Sequence, residues 1–110
     1  MPHIVIEYSD NLKTDLETAE LTKKLHKAVA EFGLFDPDSV KARSLEYSDF
    51  VLTGMANSFI HVTVSILSGR TVEQRNALND MVFKIISQSV PTAEKISSDI
   101  REMNAETYKK

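Results

Sequence analysis

Cysteine is absent from the 110-residue chain, which excludes disulfides and thiolate chemistry and removes the commonest ligands of a zinc site. No apolar run approaches the roughly 20 residues of a membrane-spanning helix. No basic stretch followed by an apolar core opens the chain, so the sequence predicts no secretory leader, no membrane partner and a cytoplasmic address. The spacings G-x-x-x-x-G-K-[ST], G-x-G-x-x-G and H-E-x-x-H are also missing, and with them the usual support for nucleotide and metal sites. A net charge of −3 gives no general attraction for nucleic acid. An anionic ligand has to be drawn in by cations clustered locally.

What is present is an ordinary globular composition, 42% hydrophobic and 26% charged, at a length that fits one domain. A domain this small buries a modest share of its surface, which leaves room for a partner surface. His3 to Tyr8 (HIVIEY) is a β-branched run closed by Ser9-Asp10-Asn11, a strand and its turn. From Thr14 the period changes: Leu21, Leu25, Val29 and Phe32 fall near helical spacing, Thr14 and Glu17 stand at capping-box distance, and Gly33 suits the exit. After the turn cluster Asp36-Pro37-Asp38-Ser39, Val40 to Tyr47 reads as a second strand with Lys41, Arg43, Leu45 and Tyr47 on one face. Residues 48–57 read as a loop or small hairpin, and Ser58 to Leu67 (SFIHVTVSIL) as the strongest strand. Ser68-Gly69-Arg70 breaks that strand. Thr71 with Gln74 then opens an amphipathic helix through Leu78, Met81, Val82, Ile85 and Ile86, which Pro91 closes. Ile96 to Met103 reads as the last strand, and the polar tail from Asn104 as mobile.

The order is βαβ twice, over about residues 1–47 and 58–103. It predicts an α+β domain with a four-stranded sheet and both helices on one face. Ile60, Val62, Val64 and Ile66 are too apolar to leave one side of the sheet in water, so the uncovered face is expected to meet another copy of the chain. A ferredoxin-like ligand-binding module has the same element order and is the alternative.

Few side chains are candidates for chemistry. His26 stands among Lys23, Lys24 and Lys27 on a helix face that reads as solvated, and His61 reads as a strand residue with a satisfied ring. Phe50 and Phe59 read as core. Arg70 is a stronger candidate, because it follows Gly69 where the next helix offers unpaired N–H groups and the positive end of its dipole, a place that suits a carboxylate. Lys41 and Arg43 share a face of the second strand and want an anion, either a ligand or Glu7, Glu46 or Asp99, unless they reach solvent at an edge. Pro2 has two readings. Proline tolerates the first strand position because no ladder bond is asked of its nitrogen. Alternatively, removal of Met1 would make it a secondary amine fixed to a rigid element, which is a base.

Met1-Pro2-His3-Ile4-Val5-Ile6-Glu7 with Ser9-Asp10-Asn11, and Ser68-Gly69-Arg70 opening the second helix, resemble the 5-carboxymethyl-2-hydroxymuconate isomerases of the tautomerase superfamily. The resemblance implies a homotrimer and catalysis by an amino-terminal proline, with Pro2 as base and Arg70 as the family's arginine after the glycine. It implies a second arginine early in the second strand, where this chain has Lys41, with Arg43 two residues on. A lysine supplies charge but not the planar two-pronged grip on a carboxylate. The implied reaction is a cofactor-free 1,3-allylic proton shift on a dicarboxylate or tricarboxylate, with neither metal nor nucleic acid involved. Related tautomerase or decarboxylase activities on an oxo acid stand beside it.

Overall fold

The computed structural model describes residues 1–12 and 18–110. Six main elements follow in the order β1 (His3–Ser9), α1 (Thr18–Ala30), β2 (Lys41–Tyr47), β3 (Phe59–Leu67), α2 (Val72–Ser89) and β4 (Lys95–Met103). The Thr14–Glu17 capping pair lies outside the described residues. Residues 48–57 form a loop without strand, and the strands match the apolar runs to within a residue at each end.

The sheet is mixed, in the order β2-β1-β3-β4. β1 runs parallel to β2 and antiparallel to β3, and β3 runs parallel to β4. The two strands of each βαβ unit are therefore direct neighbours. A split βαβ unit, as in a ferredoxin-like module, would insert a strand between them, so that alternative fails on topology.

One apolar cluster holds the layers together. Ile4, Ile6 and Tyr8 of β1 and Ile60, Val62, Val64 and Ile66 of β3 point into it, against Leu21, Leu25 and Val29 of α1 and Leu78, Val82 and Ile86 of α2. The helix residues recur every four positions, which places them on one stripe of each helix. Lys23, Lys24 and Lys27 are exposed on the opposite side of α1. The capping box that opens α2 is complete: Gln74 N–H donates to Thr71 Oγ1 at 3.1 Å, and Thr71 N–H donates to Gln74 Oε1 at 2.9 Å.

Two expectations need correction. The Ile60–Ile66 row is not the uncovered side of the sheet but the side that both helices cover, because the helices carry the matching apolar stripes. The open side of β3 is Phe59, His61, Thr63, Ser65 and Leu67, all partly exposed. His26 is not a solvated surface residue. Its Nε2–H donates to the Val40 carbonyl at 3.0 Å, tying α1 to the start of β2. His61 has the satisfied ring expected of it, with Nδ1 2.6 Å from Ser97 Oγ.

Leu78 is fully buried, and Leu78→Ala is expected to lower stability by about 2–5 kcal/mol. Exposed Lys24→Ala should change it by no more than about 0.5 kcal/mol. Urea unfolding of both variants checks this, and equal midpoints would contradict the packing described.

Candidate active site

Sheet direction brings the candidate residues together. β1 and β2 run the same way, so both begin at one end of the sheet, and the antiparallel β3 ends there with its parallel neighbour β4. The Lys41 N–H donates to the Pro2 carbonyl at 3.0 Å, and the Ser68 N–H donates to the Met103 carbonyl at 2.9 Å. Met1, Pro2, Lys41, Arg70 and the C-terminal tail consequently crowd one rim.

Arg70 sits in a turn that its neighbour makes possible. Gly69 has φ of +123°, a conformation side-chain-bearing residues avoid, and it turns the chain from β3 toward α2. The Arg70 guanidinium donates from Nη2 to the Leu34 carbonyl at 2.7 Å and from Nη1 to the Leu67 carbonyl at 3.4 Å. It also lies 5.0 Å from the centre of the Phe35 ring. These contacts fix the planar fork while leaving its charge uncancelled. The capping box occupies two of the N–H groups at the start of α2, so the anion-attracting element here is Arg70 more than the helix end.

A cavity of about 200 Å³ opens beside it, lined by Met1, Phe35, Asp36, Ser39, Leu67, Arg70 and Lys110. The Met1 amine donates to Ser39 Oγ, and Ser39 Oγ donates in turn to the Asp36 carbonyl at 2.7 Å. Burial lowers the pKa of this amine, as do Lys41, Lys110 and Arg70, with Asp36 opposing. An amine at this rim is pushed toward its neutral form. Pro2, one residue on, is buried. A larger groove of about 640 Å³ between α2 and β4 includes Phe83 and Ser97. It faces the far end of the sheet, where β3 starts, and gathers no comparable charge. Phe50 and Phe59 also meet at that far end, with ring centroids 5.4 Å apart.

The other cations are divided between two sides of the rim. Lys41 and Arg43 are exposed on the edge strand β2, on the open face of the sheet with His3. The Lys41 Nζ donates to the Ser39 carbonyl at 3.3 Å, next to the cavity. Arg43 instead donates from Nη1 to His3 Nδ1 at 3.3 Å. His3 Nε2 lies 2.7 Å from the Tyr108 hydroxyl, with the two rings edge to face. The tail is therefore not loose as the sequence suggests. A turn in which the Thr107 and Tyr108 N–H groups bond the Asn104 carbonyl folds it back over the start of β1. Sequence reasoning missed Phe35, Asp36, Ser39, Tyr108 and Lys110. The Asp36–Ser39 turn was visible, but only the parallel pairing of β1 and β2 reveals that it borders Met1. Among the described residues, no group of three or more histidines and carboxylates could hold a metal ion.

A family model for 5-carboxymethyl-2-hydroxymuconate isomerase matches residues 2–110. The chain belongs to that isomerase family. A 5-carboxymethyl-2-hydroxymuconate Delta-isomerase of Escherichia coli is 26% identical over 88 residues, covering 78% of this chain and 70% of its own length. A crystal structure of a 5-carboxymethyl-2-hydroxymuconate isomerase from Deinococcus radiodurans R1 superposes with a TM-score of 0.88 at 24% identity, over 99% of this chain and 87% of that one. A fused 4-OT symmetric trimer superposes with a TM-score of 0.73 at 24% identity, over 93% and 85% of the two chains. At these identities the structural likeness shows the fold, and the four-stranded mixed sheet with both helices on one face, expected of this chain, is the one observed.

His3 is held below the usual histidine pKa by burial first, then by Arg43, Lys41 and the amino terminus. An unfolded chain, with histidine near 6.5, takes up this proton at higher pH than the native one. The stability tied to neutral His3 is thus complete above that value and is lost as pH falls toward the lowered native pKa. His3→Gln is expected to flatten the dependence of the urea midpoint on pH in that window. An unchanged slope would assign the acid sensitivity to other groups.

Proposed function

We propose that the chain catalyses a cofactor-free 1,3-allylic proton shift on a polycarboxylate of the 5-carboxymethyl-2-hydroxymuconate type, with Pro2 as the base once Met1 has been removed. The observation that carries this reading is the rim itself, where burial and three cations, against Asp36, lower the pKa of the Met1 amine beside Arg70, whose two hydrogen bonds go to neutral carbonyls. A secondary amine in water is largely protonated at neutral pH and is a poor base. The same cations that depress its pKa attract carboxylates, so one arrangement serves both needs.

In the forward reaction the Pro2 nitrogen takes the 2-hydroxyl proton of the dienol, leaving a dienolate whose charge spreads along the conjugated system. The prolinium then returns a proton to the distal carbon, giving the conjugated 2-oxo acid and regenerating the neutral amine. Counted from the unconjugated 2-oxo tautomer of the dienol, which carries that proton on the carbon next to the carbonyl, the net change is the 1,3-allylic shift. No electron leaves or enters, so no cofactor is required. Arg70 binds the carboxylate and 2-oxygen end and stabilises the dienolate as it forms. Lys41 and Arg43 bind a second carboxylate from the edge strand. The working unit is a homotrimer, supported by the uncovered sheet face, on which Leu45 is 53% exposed, and by the trimeric description of the 4-OT relative.

The test is ultraviolet decay of a 2-hydroxymuconate-type dienol with protein whose mass confirms loss of Met1 and whose sedimentation shows three copies. Conversion well above the solvent rate is expected. Pro2→Ala should lower kcat/KM by about 10²-fold or more, and Arg70→Ala by about 10²–10³-fold. Trimmed trimer that leaves the dienol at its solvent rate would contradict the reading.

A further inference from the structure

The contact chain Arg43, His3, Tyr108 joins three segments distant in sequence, and proton transfer does not use it. Its direction follows from donor chemistry. A guanidinium has no acceptor, so the 3.3 Å contact requires His3 Nδ1 to accept from Arg43. The imidazole is then neutral with its proton on Nε2, and that N–H donates to the Tyr108 hydroxyl at 2.7 Å. Tyr108 is itself anchored. Its N–H bonds the Asn104 carbonyl at 3.0 Å, the Glu106 N–H bonds Asn104 Oδ1 at 2.8 Å, and the Ala105 N–H reaches Ser68 Oγ at 3.4 Å.

The choice of partner matters. A carboxylate would orient Arg43 but cancel its charge, whereas a neutral imidazole orients it and leaves the charge for a ligand. Among the described residues, the charged groups that act on His3 are Arg43 and Lys41 from β2 and the amino terminus of its own strand, and all are cations. Ser65 of β3 stands opposite His3 in the ladder. Nothing there favours an imidazolium, which would carry protons on both nitrogens and lose its bond from Arg43.

We propose that Tyr108 is a positioning residue, acting through His3 to hold the Arg43 guanidinium where it binds the second carboxylate of the substrate. This rests on the reading of Arg43 as a carboxylate-binding residue. It makes the C-terminal turn a specificity device, because substrates with a single carboxylate gain nothing from it.

The experiment uses the full-length trimmed protein and its Tyr108→Phe, His3→Leu and His3→Gln variants, with the His3→Leu/Tyr108→Phe double variant. Steady-state kinetics on the dienol are paired with calorimetric binding of propane-1,2,3-tricarboxylate. Tyr108→Phe keeps the ring and loses the hydroxyl. It is expected to raise KM and the probe Kd about three- to tenfold with kcat within about twofold. His3→Leu should match it, the double variant should be no worse than His3→Leu, and His3→Gln, which retains an acceptor and a donor, should recover most of the affinity. Unchanged probe affinity in Tyr108→Phe, or additive effects in the double variant, would overturn the proposal. If the unaltered protein binds the probe but leaves the dienol untouched, the isomerase reading fails while probe affinity still decides the positioning role. Long-range ¹⁵N–¹H correlation on the unaltered protein adds a readout independent of folding in the variants, and an Nδ1–H tautomer at His3 would overturn the chain.

Discussion

The bond from the Lys41 N–H to the Pro2 carbonyl, 3.0 Å long, is the first rung of the parallel β1–β2 ladder. It fixes the amino end of the chain at the rim where β2 begins and β3 ends. That placement brings Pro2, Lys41 and Arg70 to one rim. Proline accepts the position because the rung asks only for its carbonyl, and its nitrogen owes the sheet nothing. A strand that started one residue later would leave Pro2 outside the ladder, away from Arg70 and the Asp36–Ser39 turn.

The rim gathers more positive than negative charge. Among the described residues, Lys41, Lys110 and Arg70 act on the terminal amine and Asp36 opposes them, in a chain whose net charge is −3. Local concentration of cations against a negative background costs folding energy unless an anion shares the site or water screens it. The arrangement stays tolerable because Arg70 spreads its N–H groups over the Leu34 and Leu67 carbonyls and Arg43 leans on a neutral ring. Neither contact consumes the charge. The cations keep their charge, and together with burial they lower the pKa of the Met1 amine.

Much of the scaffold is legible in the sequence. The β-branched runs, the four-residue helix stripes and the Thr71–Gln74 capping box are local signals, and local physics decides them. Arg70 is legible because Gly69 marks a turn that only glycine makes comfortably. The face assignment of the Ile60–Ile66 row is not legible, since strand alternation separates two faces without saying which one the helices take. Tyr108 and Ser39 escape notice for a different reason. Each reaches the rim through a contact that spans most of the chain or a third of it, and no periodicity carries such information. The ordered tail illustrates this best: its composition is polar, and it is held by hydrogen bonds to β1 and to the end of β3 rather than by burial.

The central claim is that the rim makes a neutral amine of Pro2 at working pH. The most direct measurement is an NMR titration of the ¹⁵N-labelled prolyl amine in protein lacking Met1. A pKa clearly below that of an amino-terminal proline in a short unstructured peptide is predicted. A value equal to the peptide's, or above it, would contradict the claim.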